Sequence, residues 1–79
     1  MKMTLRELSN SLAEFWKSME VSRYSTNTKE NTLGMLQMIP REKMDETFKA
    51  FQELASAKTP EREFRDKTSR IFGKAMGYE

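Results

Sequence analysis

Apolar residues recur with helical spacing along most of the chain, and the sharpest example lies between residues 41 and 57. On a helix at about 100° per residue, four of its side chains project within about 60° of one another: Met44, Phe48, Phe51 and Ala55. Most of its other positions are charged or polar. A helix this two-sided is unstable alone in water, so other segments must cover its apolar face. The pattern therefore predicts that this helix is the centre of a small helical domain.

A first helix is predicted over residues 4–20. Thr4 and Glu7 have the spacing of a capping box, in which the threonine hydroxyl accepts a hydrogen bond from the amide of Glu7. The apolar residues of this helix project within an arc of about 100°, and they are Leu5, Leu8, Leu12, Phe15, Trp16 and Met19. Most of them also follow the a/d spacing of a coiled coil. The helix is therefore expected to pack lengthwise against a partner helix, within the chain or in a dimer.

A second, shorter helix is predicted over residues 28–38. The polar run at residues 22–27 is typical of a loop, and Asn27 is positioned to cap the helix that follows. Gly34 weakens this helix, because glycine costs about 1 kcal/mol relative to alanine in a helix interior. The apolar side chains also divide between two sides, with Leu33, Leu36 and Ile39 on one and Met35 and Met38 on the other.

Two prolines mark the remaining helix boundaries. Pro40 disfavours helical backbone angles at Ile39, which ends the second helix and lets the helix over residues 41–57 begin. Thr59 is a suitable N-cap, with Pro60 at the first position of a last helix. Neither a repeat nor a strand pattern is evident. The sequence therefore predicts one all-α domain over residues 1–79, a compact bundle of about four helices at 4–20, 28–38, 41–57 and 60–75.

The composition argues against catalysis. The 79 residues include no histidine and no cysteine, which excludes imidazole and thiolate chemistry and the common zinc sites. Acidic pairs such as Glu61/Glu63 lie near predicted helix starts, where the helix dipole favours negative charge. No apolar run is long enough for a signal peptide or a membrane span. We therefore expect a cytoplasmic protein that is not an enzyme and needs neither a cofactor nor a metal.

The residues that best suit a binding role lie in the second helix and in the loop before it. An arginine and an aromatic residue in a loop, here Arg23 and Tyr24, are typical anchors of protein interfaces. Met35 and Met38 face away from Leu33 and Leu36, and flexible thioethers suit surfaces that adapt to a partner. These residues favour a small regulator or inhibitor that docks on a larger protein assembly and self-associates as a homodimer. Such a chain would suit an accessory protein of a bacterium or phage.

The alternative is an accessory protein that binds DNA or RNA. The formal net charge is only +2, from 14 basic and 12 acidic residues, but the basic excess falls on the last helix. Its candidate phosphate contacts are Arg65, Lys67, Arg70 and Lys74. Two observations favour a solvated face instead. Glu63–Lys67 and Asp66–Arg70 have the spacing of helical ion pairs, and the basic residues occupy both flanks of the helix.

Overall fold

The computed structural model of the chain describes residues 4–78, which form four helices and no strand. The helices are α1 (Leu5–Val21), α2 (Thr26–Met38), α3 (Arg41–Ser56) and α4 (Glu61–Ala75). The all-α prediction is confirmed, and each helix begins and ends within two residues of its predicted bounds. The Cα radius of gyration is 11.7 Å, against about 11.6 Å expected for a globular domain of this length. The chain is therefore folded into a single compact bundle.

The four helices form two hairpins, α1–α2 and α3–α4. α3 has close backbone contacts with each of the other helices, which agrees with its predicted central place. Within residues 4–78, no such contact joins α1 to α4. α1 and α4 are therefore the outer members of the bundle, each packed against α2 and α3.

Aromatic residues from three helices and one turn fill the core. Phe15 of α1 packs edge-on against Phe48 of α3, with ring centroids 5.6 Å apart, and lies 6.4 Å from the ring of Phe51. The buried set is Phe15, Met19, Tyr24, Leu36, Ile39, Phe48, Phe51, Ala55 and Phe64, with Leu12, Trp16 and Met44 partly buried against it. The predicted apolar faces are thus confirmed for α3 and for Leu12, Phe15, Trp16 and Met19 of α1. Leu8 is half-buried outside this core, and the side chain of Leu5 lies outside the described part of the chain.

The two turns between paired helices have the same backbone form. Arg23 and Lys58 both adopt positive φ, at 63° and 56°. In each turn the amide of the next residue donates back across the helix end, from Tyr24 to the carbonyl of Met19 and from Thr59 to that of Leu54, at 3.0 and 3.3 Å. This is the Schellman ending, in which the left-handed position usually holds glycine.

The two turns are also bonded to each other at one end of the bundle. The Tyr24 hydroxyl donates to the carbonyl of Thr59, the Ser22 hydroxyl donates to the carbonyl of Ala55 at 2.9 Å, and the Ser25 amide donates to the Glu61 carboxylate at 2.6 Å. Because α2 and α4 both begin at these turns, they run side by side in the same direction.

Two predicted helix caps are wrong. Ser25 caps α2 in place of Asn27, since its hydroxyl accepts from the Thr28 amide at 3.2 Å and Asn27 is already helical. Pro60 takes the cap position of α4 in place of Thr59, because the Thr59 amide still closes the end of α3. The predicted cap at Thr4 is confirmed, with its hydroxyl accepting from the Glu7 amide at 3.1 Å.

Candidate protein-docking surface

An open groove of about 460 Å³ runs between α2 and α4. It brings together three residues that the sequence assigned to two different functions: Met35 and Met38 as protein contacts, and Arg65 as a phosphate contact. The full lining is Thr28, Glu30, Asn31, Thr32, Gly34, Met35, Met38, Arg65, Thr68 and Ser69. We refer to these residues as the α2–α4 groove.

Three buried threonines make the floor of the α2–α4 groove. Thr28, Thr32 and Thr68 are almost fully buried. The hydroxyls of Thr32 and Thr68 donate to carbonyls of their own helices, at Thr28 and Phe64, both over 2.7 Å. The Thr28 hydroxyl is occupied by Ser25, which donates to it at 3.1 Å. Because the hydroxyls are already hydrogen-bonded within the chain, the floor favours contact with apolar groups over recognition of a polar ligand.

Met38 is the exposed large apolar residue of the α2–α4 groove. Its side chain is 63% exposed at the last position of α2, whereas Met35 is partly buried against the core. Of the two methionines predicted to face away from Leu33 and Leu36, Met35 thus packs partly against the same core as those leucines, and Met38 remains exposed. Among the described residues, the other large apolar side chains with this degree of exposure are Val21 and Tyr78, and neither lines the groove.

Gly34 leaves an open space on the α2 wall. It lies in the helix interior without positive φ. Apart from its two chain neighbours and the adjacent backbone of α2, nothing within residues 4–78 comes within 4 Å of the place where a Cβ would be. Gly73 on α4 has the same open space and lies one helical turn beyond Ser69 of the groove. The contacts of the described chain thus give no reason for glycine at either position, although each costs about 1 kcal/mol relative to alanine.

The rim of the groove carries one charge of each sign. Glu30 lies on the α2 wall and Arg65 on the α4 wall, and both are exposed. Within the described residues, neither forms an ion pair. A binding partner would therefore meet one exposed charge of each sign, of which Arg65 also acts on Glu61 of its own helix, where it helps to lower the pKa of that carboxyl group.

The basic residues of α4 do not form one stripe. Lys67 and Arg70 line a separate groove on the α3 side, together with Leu54 and Ile71, whereas Arg65 lies on the α2 side. Lys67 is 3.1 Å from Glu63 and Arg70 is 3.9 Å from Asp66, which confirms the predicted helical ion pairs. Lys74 is exposed near the end of α4. The four candidate phosphate contacts are thus divided between two sides, and two of them are paired with acids.

The predicted role of Tyr24 as an exposed contact is wrong. Its side chain is only 5% exposed, its ring centroid lies 4.4 Å from that of Phe64, and its hydroxyl bonds the Thr59 carbonyl. Burial raises the pKa of Tyr24 above its ordinary value, so the hydroxyl keeps its proton and its hydrogen bond at neutral pH. The left-handed backbone at Arg23 turns the chain so that Tyr24 enters the core. Arg23 itself is exposed at the turn.

The pattern of apolar residues did not reveal three buried residues of α2, namely Thr28, Lys29 and Thr32. Thr28 and Thr32 count as polar, yet with Leu36 they form a buried series spaced four residues apart. That spacing is the signal that would have revealed the groove floor. Lys29 is 9% exposed, and its Nζ lies 4.5 Å from the centroid of the Trp16 ring in a cation–π contact that joins α2 to α1.

The described residues define a four-helix protein of two hairpins, with the α2–α4 groove between them. No three histidine, cysteine, aspartate or glutamate side chains within residues 4–78 are grouped to hold a metal ion. None of the described helices combines the length and apolar character needed to cross a bilayer. No protein-family model matches the chain, and no curated protein or solved structure shows significant similarity to it.

Proposed function

We propose that the protein acts without catalysis, by docking on protein partners through the α2–α4 groove. The observation that carries this proposal is Met38, a large apolar residue 63% exposed beside a floor of buried threonines whose hydroxyls are already hydrogen-bonded. Protein interfaces combine an apolar centre with a polar rim, and Glu30 and Arg65 supply that rim. A methionine at the edge of such a groove adapts its three side-chain torsions to the partner's shape.

Nucleic-acid binding is the less supported alternative. Exposed Arg65, Lys67, Arg70 and Lys74 favour it, but Lys67 and Arg70 are paired with acids and lie on another side of α4 from Arg65. Affinity for DNA depends on the number of phosphates neutralised together, and a divided set neutralises few. We therefore expect only weak, salt-sensitive binding of duplex or single strands near physiological salt.

Photo-cross-linking in cells tests the docking surface. A photo-reactive amino acid replaces either Met38 or Val21 in the full chain, and covalent adducts are then separated by mass. The two positions are matched, because each is the last residue of a helix and they are 63% and 67% exposed. We expect adducts with protein from position 38 and far fewer from position 21.

The same two positions provide the matched loss-of-function variants. Lysine at a helix C-terminus is compatible with the helix dipole, so Met38→Lys and Val21→Lys should both fold. We expect Met38→Lys to lose the protein associations of the parent chain and Val21→Lys to keep them. Equal behaviour of the two variants, or equal cross-linking from the two positions, would contradict the proposal.

A further inference from the structure

We infer that the α2–α4 groove takes a second copy of this chain, related to the first by a two-fold axis that runs along the groove. This inference rests on the proposed function and names the partner. Its basis is that α2 and α4 are complementary to each other in charge and in shape. This complementarity holds between residues that lie at the same height along the two helices.

The matched turns set the heights of residues on the two helices. α1 ends at Val21 and α3 at Ser56, while α2 begins at Thr26 and α4 at Glu61, so that both pairs of boundaries are 35 residues apart. The turns are bonded to each other through Ser25 and Glu61. Because α2 and α4 start together and run in the same direction, residues 35 apart lie at about the same height along the groove.

A two-fold axis along the groove keeps helix directions unchanged and places α2 of one copy against α4 of the other. Each α2 residue then faces the partner residue whose number is 35 higher. Glu30 faces Arg65 of the partner subunit, and these are opposite charges. Within residues 4–78 of one copy neither forms an ion pair, although the charge of Arg65 also acts on Glu61. By symmetry, the same pair forms twice.

The sizes of the facing side chains are also complementary at this offset of 35 residues. Met38, the exposed apolar side chain, faces Gly73 of the partner subunit, where a Cβ would have nothing within 4 Å. Gly34 faces Ser69 of the partner subunit, so that two small residues meet and the helices can approach closely. The pairing thus accounts for Gly34 in the interior of α2, for Gly73 in the last turn of α4 and for the exposed methionine, none of which the contacts of a single copy explain.

The size of the surface sets the expected strength. α2 and α4 contain 13 and 15 residues and are each about 20 Å long, which is small for a stable interface. We therefore expect a dissociation constant between about 1 and 100 µM. The rim carries one negative and one positive charge, Glu30 and Arg65. This neutral balance suits a copy of the same chain better than a strongly acidic or basic partner.

Sedimentation equilibrium of the purified full chain from about 1 to 300 µM, which spans that range, tests the inference. We expect a monomer–dimer equilibrium for the parent chain and for Val21→Lys. Met38→Lys should weaken the dimer by at least about 10-fold, since it places a charge against an apolar position. Circular dichroism of each variant verifies that the helices are intact.

A mixing experiment tests the two-fold pairing itself. Glu30→Arg alone places arginine against Arg65 of the partner subunit, and Arg65→Glu alone places two glutamates together, so each should weaken self-association by about 10-fold or more. An equimolar mixture forms two complementary pairs in every mixed dimer, and its affinity should return to within about threefold of the parent chain. Any contact between the two side chains inside one copy is not restored by mixing, which isolates the intermolecular effect.

The outcomes separate this inference from the function it rests on. A mixture that associates no better than the single variants overturns the two-fold pairing. A parent chain that stays monomeric at about 300 µM, while position 38 still cross-links to other proteins in cells, overturns the second copy and leaves the docking function intact. Loss of cross-linking from position 38 as well removes the proposed function together with the inference.

Discussion

Arg23 and Lys58 carry the least favourable backbone conformations among residues 4–78. Both are non-glycine residues with positive φ at the end of a helix, where a Cβ crowds the backbone. The hydrogen bonds of the two Schellman endings hold them there. Their side chains are exposed, so the conformation serves the turn and places Tyr24 and Thr59 inward.

Replacing either residue with glycine should therefore stabilise the protein. We expect Arg23→Gly and Lys58→Gly each to raise the free energy of unfolding by about 0.5–1 kcal/mol, after the greater freedom of glycine in the unfolded chain is counted. Urea denaturation followed by circular dichroism measures the change. Arg23→Ala is the matched control, because it keeps the Cβ and should give no gain. A gain of equal size from alanine would mean that the arginine side chain, and not its Cβ, is unfavourable.

Glu61 makes the stability depend on pH. The Ser25 amide, and then the Thr28 and Ser25 hydroxyls, stabilise the ionised carboxylate and lower the pKa of Glu61 below its ordinary value. A lowered folded-state pKa gives stability that is complete above the unfolded-state pKa, near 4.5, and is lost as pH falls through the folded-state value.

The Glu61→Gln variant isolates this contribution. At neutral pH it should be less stable than the parent chain, and the difference should shrink as the pH falls below about 4.5 and the parent carboxylate takes up a proton. Urea denaturation of both proteins between about pH 3 and pH 7 measures the difference. All other carboxylates are common to both proteins, so their titration cancels. A difference that is constant with pH would rule out the ionised hydrogen bond as its cause.

Among the helices, α2 best illustrates what the sequence could and could not predict. The periodic spacing of Phe, Leu and Met residues identified α1 and α3 and their shared core, because these apolar side chains are stabilised by burial and so mark the buried face of a helix. α2 contacts α4 through threonines. The hydroxyls of Thr32 and Thr68 are bonded to their own helices, and that of Thr28 to Ser25 of the cap and to Glu61. A polarity pattern counts these residues as solvated, so the groove floor escaped prediction even though Met35, Met38 and Arg65 around it were identified.

Gly34 separates the stability of α2 from its proposed interaction. We expect Gly34→Ala to raise the free energy of unfolding of the single copy by about 0.5–1 kcal/mol, since the Cβ enters open space and alanine favours the helix. Urea denaturation at low micromolar protein measures this gain. Gly34→Leu should fold as well but weaken association, because the bulk blocks close approach of a partner. Destabilisation by alanine would mean that the position is constrained inside one copy.

The whole bundle depends on a thin core. Phe51 is completely buried and packs beside Phe15, so Phe51→Ala should cost about 3–5 kcal/mol. A domain this small has about 5 kcal/mol of stability in total, so we expect the variant to be largely unfolded at 37 °C by circular dichroism. Phe72→Ala, at a half-buried position, is the control and should stay folded. A folded Phe51→Ala with little loss of stability would contradict this account of the core.

The short link between the two hairpins, at Ile39 and Pro40, opposes the exchange of a hairpin between neighbouring chains. A bundle of two hairpins can undergo domain swapping, in which α3–α4 of one chain packs against α1–α2 of another chain. The simplest swapped form would fuse α2 and α3 into one long helix, with Ile39 in helical conformation. Pro40 opposes that conformation, and Ile39 is extended at φ −75° and ψ 138°. The proline therefore favours closure of each chain on itself, and Pro40→Ala is the substitution that would favour intertwined dimers.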